Sequence, residues 1–141
     1  MRLRASLLGA IVMMLAIAGM AGLAYRVSAL HSPLRHDVIL VYVGADDCLP
    51  CRRWQLEARP LFRAAPEFAA VTYREVKSPT LLDLLADEYW PDELRAYRDL
   101  LGRDAGVPLW LIISDNQLLQ RSAGIAQWQS TVLPRLRSLL R

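Results

Sequence analysis

Two cysteines and two histidines are all that the 141 residues contain. A structural zinc site takes four such ligands. His31 and His36 both precede the first strand-like run, in what reads as a connector. A metal-centred protein is therefore short of ligands, and a copper carrier finds no downstream histidine to complete a site. Acidic residues are missing before Asp37, and the stretch Ala5 to Tyr25 also lacks Arg, Lys, Asn, Gln and Pro. There is no internal repeat and no low-complexity tract, which excludes a stacked-repeat array.

The charge balance has to be read by segment. Of the seventeen basic residues, Arg2, Arg4 and Arg26 fall in the first 29 positions; the other fourteen meet fourteen acidic residues. The body of the chain is thus neutral and offers no basic footprint for nucleic acid.

At about 21 residues, Ala5 to Tyr25 matches one membrane-spanning helix and exceeds the apolar core of a signal peptide. Arg2 and Arg4 ahead of it favour a cytoplasmic N-terminus, a bias that Arg26 and Arg35 weaken. Val27-Ser28-Ala29 resembles a small-residue cleavage site, so a cleaved and secreted form stays open. Either way the rest of the chain is delivered outside the cytoplasm, on the periplasmic or extracellular side, where disulfides persist. The expected organisation is residues 1–29 as anchor or signal segment, 30–36 as a linker, and 37–141 as one domain, a common domain size.

Asp37 to Trp54 is the informative stretch. A β-branched apolar run, Val38 to Val43, predicts a buried strand. After Asp46-Asp47 comes Cys48-Leu-Pro-Cys51, and Pro50 suits the first turn of a helix. The cysteines are then placed at a strand-to-helix junction, with Cys48 where the backbone N–H groups and helix dipole favour a thiolate. A Cys-x-x-Cys pair beside a βαβ pattern favours redox chemistry. A structural disulfide stays open, although so short a loop removes little unfolded-state entropy.

The helix from about Pro50 is expected to bury Trp54, Leu61, Phe62 and Ala65, to kink or break at Pro60, and to end by Pro66. Val71 to Val76 predicts a second strand. Residues 79–103 carry leucines near helical spacing, split by Trp90-Pro91 and stopped by Gly102. Val107-Pro108 leads into a third strand, Leu109 to Ser114. Asp115-Asn116 is a turn signal, Leu118 to Arg121 a fourth strand ended by Gly124. Val132, Leu133, Leu136, Leu139 and Leu140 form the apolar face of a last helix, which Pro134 starts late, near Ser130, or bends.

This order, with Cys48-Leu-Pro-Cys51, Gly106-Val107-Pro108, the Asp115-Asn116 turn and Gly124, resembles the thioredoxin-like superfamily over Asp37 to Leu140. The resemblance implies an α/β fold, a central mixed four-stranded sheet flanked by helices, behind the N-terminal transmembrane helix. It implies that Pro108 is cis and packs against the cysteines, and that the backbone of Val107 pairs with a substrate chain. It also implies that Cys48 attacks a disulfide and Cys51 resolves the mixed species. There are departures. The family's buried acid under the pair is matched by Tyr42, a phenol with an ordinary pKa near 10; Glu75 on the next strand is the stand-in for proton transfer, against a plain solvated charge. The aromatic before the first cysteine is replaced by Asp47, which opposes a thiolate or caps the helix. Arg52 and Arg53 offset it or merely face solvent. The segment Leu84 to Arg103 is extra, and its Tyr89, Trp90 and Tyr97 belong to the core or to a partner surface.

The expected function is a membrane-tethered thiol–disulfide oxidoreductase that reduces disulfides of exported proteins. Proline just before Cys51 resembles the reducing branches, including those that serve cytochrome c maturation. Its partners would be protein disulfides or dithiols, a transmembrane electron donor and the membrane, with no nucleic acid, cofactor or metal. The alternative is a non-catalytic thioredoxin-fold binding module, its cysteines permanently bridged.

Overall fold

Val38–Ala45 forms strand β1, and every residue but Ile39 in it is buried. Such a continuous apolar run needs cover on both faces. The computed structural model describes residues 37–102 and 105–141, and it supplies that cover. Along the chain follow α1 (Leu49–Arg63), a one-turn α2 (Pro66–Ala69), β2 (Thr72–Ser78), a one-turn α3 (Arg95–Arg98), β3 (Leu109–Ser114), β4 (Gln117–Ala123) and α4 (Leu133–Leu139). The strands form one sheet in the order β2-β1-β3-β4. β1 runs parallel to β2 and antiparallel to β3, and β4 is antiparallel to β3. The edge strands alternate exposed and covered residues, as half-buried strands do.

The two faces of the sheet carry separate cores. Val38, Leu40, Tyr42, Trp110 and Ile112 pack on Trp54 and Phe62 of α1 and on Trp128, Val132 and Leu136 near the C-terminus. Val41, Val43, Leu109, Leu111 and Ile113 face the other way, onto Leu84, Trp90, Leu94 and Leu101. Both cysteines join this second cluster.

The local signals explain most element ends. Asp115 and Asn116 both have positive φ, 51° and 60°, and Ser114 pairs with Gln117 across them. A two-residue hairpin of this kind needs residues that tolerate the left-handed region. Gly124, at φ 96°, ends β4. Pro134 sits in the first turn of α4, behind a π-helical turn, Trp128–Val132.

Three expectations are corrected. α1 is not broken at Pro60 and continues to Arg63. The carbonyl that loses its partner there is that of Leu56, a residue 78% exposed, so the missing bond falls on the solvent side of the helix. Leu61 is 73% exposed. The buried stripe instead steps through Cys51, Trp54, Ala58 and Phe62, and Leu61 lies at its margin. Residues 79–103 do not form long helices. Over the described part they make three 3-10 turns, Leu81–Asp83, Asp87–Tyr89 and Asp92–Leu94, before α3. Pro91 holds Trp90 extended, at ψ 118°. The Trp90 indole N–H donates to the Leu84 carbonyl at 2.8 Å, so a buried side chain organises what backbone periodicity does not.

Among the described residues no helix is long and apolar enough to cross a membrane. The expected span, Ala5 to Tyr25, and the linker 30–36 lie outside the described residues.

Candidate functional site

Cys48 is the residue that caps α1. Its backbone is extended, φ −86° and ψ 109°, and its sulfur accepts the Cys51 backbone N–H at 3.2 Å. Its own N–H donates to the Ala45 carbonyl at 3.3 Å, so the chain turns directly from β1 into the helix. Pro50 occupies the first turn, which has no acidic side chain. Cys48 and Cys51 are joined by a disulfide, with Cα atoms 5.2 Å apart. Cys48 is 4% exposed and Cys51 is fully covered.

The carboxylates before Cys48 neither cap the helix nor lie free. Asp46 pairs with Lys77 at 2.9 Å, and its N–H continues the sheet by donating to the Ser78 carbonyl at 3.0 Å. Asp47 accepts the Leu81 backbone N–H on Oδ1 at 2.9 Å. Arg53 is turned along the helix onto Glu57 at 3.1 Å.

Beneath the pair stands Tyr42. Its hydroxyl donates to the Cys51 carbonyl at 3.4 Å and accepts from the Gln55 side-chain amide at 2.9 Å. Its ring stacks on Trp54 with centroids 4.5 Å apart. Burial pushes the phenol above its ordinary pKa, and the Gln55 bond draws it back only in part. At neutral pH the group under the cysteines is therefore an uncharged hydroxyl with a fixed orientation. Gln55 escaped the sequence reading. Its one signal was position, four residues after Cys51 on the side of the helix next to the buried stripe.

Glu75 pairs in register with Tyr42 across β1 and β2. Its carboxylate is held by Arg59 at 3.1 Å and by Arg63 at 3.6 Å. Val107-Pro108 is a cis bond. Val107 packs half-buried against the cluster that contains both cysteines, and Pro108 is buried. The Pro108 carbonyl accepts the Gly124 N–H at 2.8 Å, which joins the start of β3 to the end of β4. The structure thus gathers Cys48, Cys51 and Val107 in one apolar cluster and puts Glu75 in a separate ion-pair group. Among the described residues no group of three or more His, Cys, Asp or Glu is placed to hold a metal ion.

No protein-family model matches the chain, and no curated protein does. Solved structures do. The chain is similar to the reduced periplasmic thioredoxin SoxS from Paracoccus pantotrophus, at 18% identity and a TM-score of 0.51, over 74% of this chain and 96% of that one. It is also similar to a mutant thioredoxin from Halobacterium salinarum, at 18% identity and a TM-score of 0.49, over 75% and 77% of the two chains. With the oxidised thioredoxin from Plasmodium falciparum it shares 12% identity at a TM-score of 0.49, over 76% and 85%. The first likeness, with the sheet order and the bridged pair at the β1–α1 junction, establishes a thioredoxin-like fold.

Proposed function

We propose that the protein is a thiol–disulfide oxidoreductase, tethered to a membrane by residues 5–25 with its domain on the extracytoplasmic side, and that it reduces disulfides of exported proteins. The observation that carries the reading is the Cys48–Cys51 bridge at the N-terminus of a 15-residue helix, with Cys48 accepting a backbone N–H. A sulfur in that position is stabilised as a thiolate once the bridge opens. The uncharged length of Ala5 to Tyr25 supports the tether. The proline before Cys51 supports the reducing direction.

In this reading the reduced protein acts in two exchanges. The Cys48 thiolate attacks one sulfur of a substrate disulfide. The substrate S–S bond breaks as the mixed disulfide forms, and the departing thiolate takes a proton from water. Cys51 then gives up its thiol proton to water, or to the first substrate thiolate, and attacks the Cys48 sulfur. The mixed disulfide breaks, the Cys48–Cys51 bond forms, and the second substrate thiolate leaves. Substrate has gained two electrons, and a dithiol donor of the membrane must return two to the pair. Val107 and Pro108 border the substrate chain. Glu75 enters as the carboxylate in register with Tyr42; a Glu75→Gln variant whose resolving step keeps its pH dependence would remove it from the proposal.

One observation favours a second reading, a binding module with a permanent bridge: the hydroxyl under the pair is uncharged and already bonded to the Cys51 carbonyl. Full-length protein reduced with dithiothreitol and mixed with hydroxyethyl disulfide separates the two. Oxidation to the internal bridge is expected; no exchange would leave only the module. Protease protection in sealed vesicles tests the topology, and a domain cleaved from the cytoplasmic side would sink the tether's orientation.

A further inference from the structure

We propose that the 3-10 turn Leu81–Asp83 reads the substrate polypeptide beside the cysteine pair, with Leu81 and Leu82 as the contact and Asp47 as the residue that positions them. The inference rests on the oxidoreductase reading and adds to it the class of substrate that the site prefers: a chain with an apolar side chain next to its disulfide.

Placement comes first. Asp47 directly precedes Cys48, and its carboxylate holds the Leu81 N–H at 2.9 Å. The turn is thereby bonded to the backbone that presents the attacking sulfur. Cys48 is only 4% exposed. A substrate that brings a disulfide to so covered a sulfur must lay its flanking residues on the surrounding surface. The exposed apolar side chains there are Leu49, at 68%, and, on the turn bonded to Asp47, Leu81 at 46% and Leu82 at 96%, with exposed Asp46, Asp47 and Arg52 among them.

Scattered exposed leucines need no explanation. Leu81 and Leu82 differ because the turn that carries them is held at both ends. The Ser78 hydroxyl donates to the Thr80 carbonyl at 2.7 Å, and the Thr80 hydroxyl to Asp83 at 2.8 Å. Lys77 and the Asp46 N–H fix the strand end from which the turn departs. Leu84, buried to 6% exposure, anchors the far side. A braced turn that holds two adjacent leucines in water has lost the freedom to fold them inward. Pre-ordering an apolar contact in this way lowers the entropy cost of binding.

Asp47 is therefore a positioning residue for Leu81, and its charge beside Cys48 bears on every substrate alike. The test uses two disulfide-linked peptides that differ only in the residue beside the cysteine, leucine in one and serine in the other, with hydroxyethyl disulfide as a small probe. Reduced full-length protein is mixed with each, and the rate of oxidation is followed by acid quench and mass spectrometry. Leu82→Ser is expected to slow the leucine peptide about tenfold, the scale of a lost apolar contact, and to leave the serine peptide and the small probe unchanged. Asp47→Ala should lower the ratio of leucine-peptide to serine-peptide rates in the same way, whatever the loss of its charge beside Cys48 does to all three rates together, and Asp47→Asn, which keeps an oxygen acceptor for the Leu81 N–H, should restore the ratio. If wild type does not oxidise with the small probe, the oxidoreductase reading fails and takes this inference with it. If it does, but Leu82→Ser leaves the peptide ratio alone, only this inference falls. A dimer that dissociates in Leu82→Ser with the peptide ratio unaltered would assign the turn to a second copy of the chain and overturn the proposal.

Discussion

The Tyr42 hydroxyl fills the space that a side chain at Gly44 would need: a Cβ built there would lie 2.4 Å from Tyr42 Oη. The two residues point the same way from β1, and glycine lets the phenol lie along the strand toward the cysteines. Tyr42 cannot step aside. It is fully buried, stacked on Trp54 and bonded to both Gln55 and the Cys51 carbonyl. Gly44→Ala should therefore destabilise the domain by about 1–3 kcal/mol, the usual cost of overpacking. Tyr42→Phe alone should cost about 1 kcal/mol through its lost hydrogen bonds. Together they should cost less than the sum, because the atom nearest the new methyl is gone. Urea denaturation of the four proteins checks this, and strict additivity would place the clash on the ring carbons, which phenylalanine keeps, and not on the hydroxyl.

Two phenols make stability fall in alkali. Burial raises the pKa of both Tyr42 and Tyr73 above the ordinary 10. In the folded state they hold their protons, while in the unfolded state they release them near pH 10. Between the unfolded and folded values the unfolded chain binds fewer protons, so stability drops as pH rises. It is fully present below pH 10. Absorbance at 295 nm should show these two tyrosines ionising only as the domain unfolds, and Tyr73→Phe should flatten the decline. Early ionisation without unfolding would mean that the phenols are not shielded.

What the sequence made legible was local. The apolar run of β1, the Asp115-Asn116 turn and Gly124 each act within a few residues, and each stands where its chemistry requires. The segment after β2 was not legible, because its order comes from tertiary contacts such as the Trp90 indole on Leu84. Leucines near helical spacing there meet a sheet, and Pro91 forbids a continuous helix. The same limit hid the partner of Asp47. Beside a helix start the carboxylate reads as a cap or as a repulsive charge, yet its partner lies 34 residues on, in a turn that spacing alone does not bring near. Leu61 was misplaced for a geometric reason: the stripe from Cys51 to Phe62 is centred away from it.

Acid should loosen the C-terminal helix. Arg137 of α4 donates to Glu67 of α2 at 2.6 Å, and that bond holds the Glu67 carboxyl below its usual pKa. A depressed carboxyl contributes stability above its unfolded pKa, near 4.5, and loses it as pH falls through the folded value. Arg137→Gln should thus be less stable than wild type above about pH 5, and the two should converge as pH falls through the folded value. A gap that stays constant across this range would assign the effect to packing of the arginine stem.

The cysteines should divide their labour by position. Cys48 begins the helix and is the less covered of the two, while Cys51 lies one turn inside and is sealed. The helix N-terminus lowers the free energy of a thiolate at Cys48, and Asp46 and Asp47, spoken for by Lys77 and the Leu81 N–H, oppose it less than free charges would. With the resolving thiol removed, a mixed disulfide has no internal route to release. Cys51→Ala should therefore trap covalent complexes with disulfide-bearing proteins through Cys48, whereas Cys48→Ala should trap few. Non-reducing gels of whole-cell extracts followed by mass spectrometry read this directly. The potential of the intact pair then gives the direction. A value near or below about −270 mV fits a reductant, and one near −120 mV an oxidant; for this two-electron couple about 30 mV is a factor of ten in the equilibrium constant. Equal trapping by both variants would contradict the assignment of roles, and a potential near −120 mV would reverse the direction while leaving the chemistry of the pair intact.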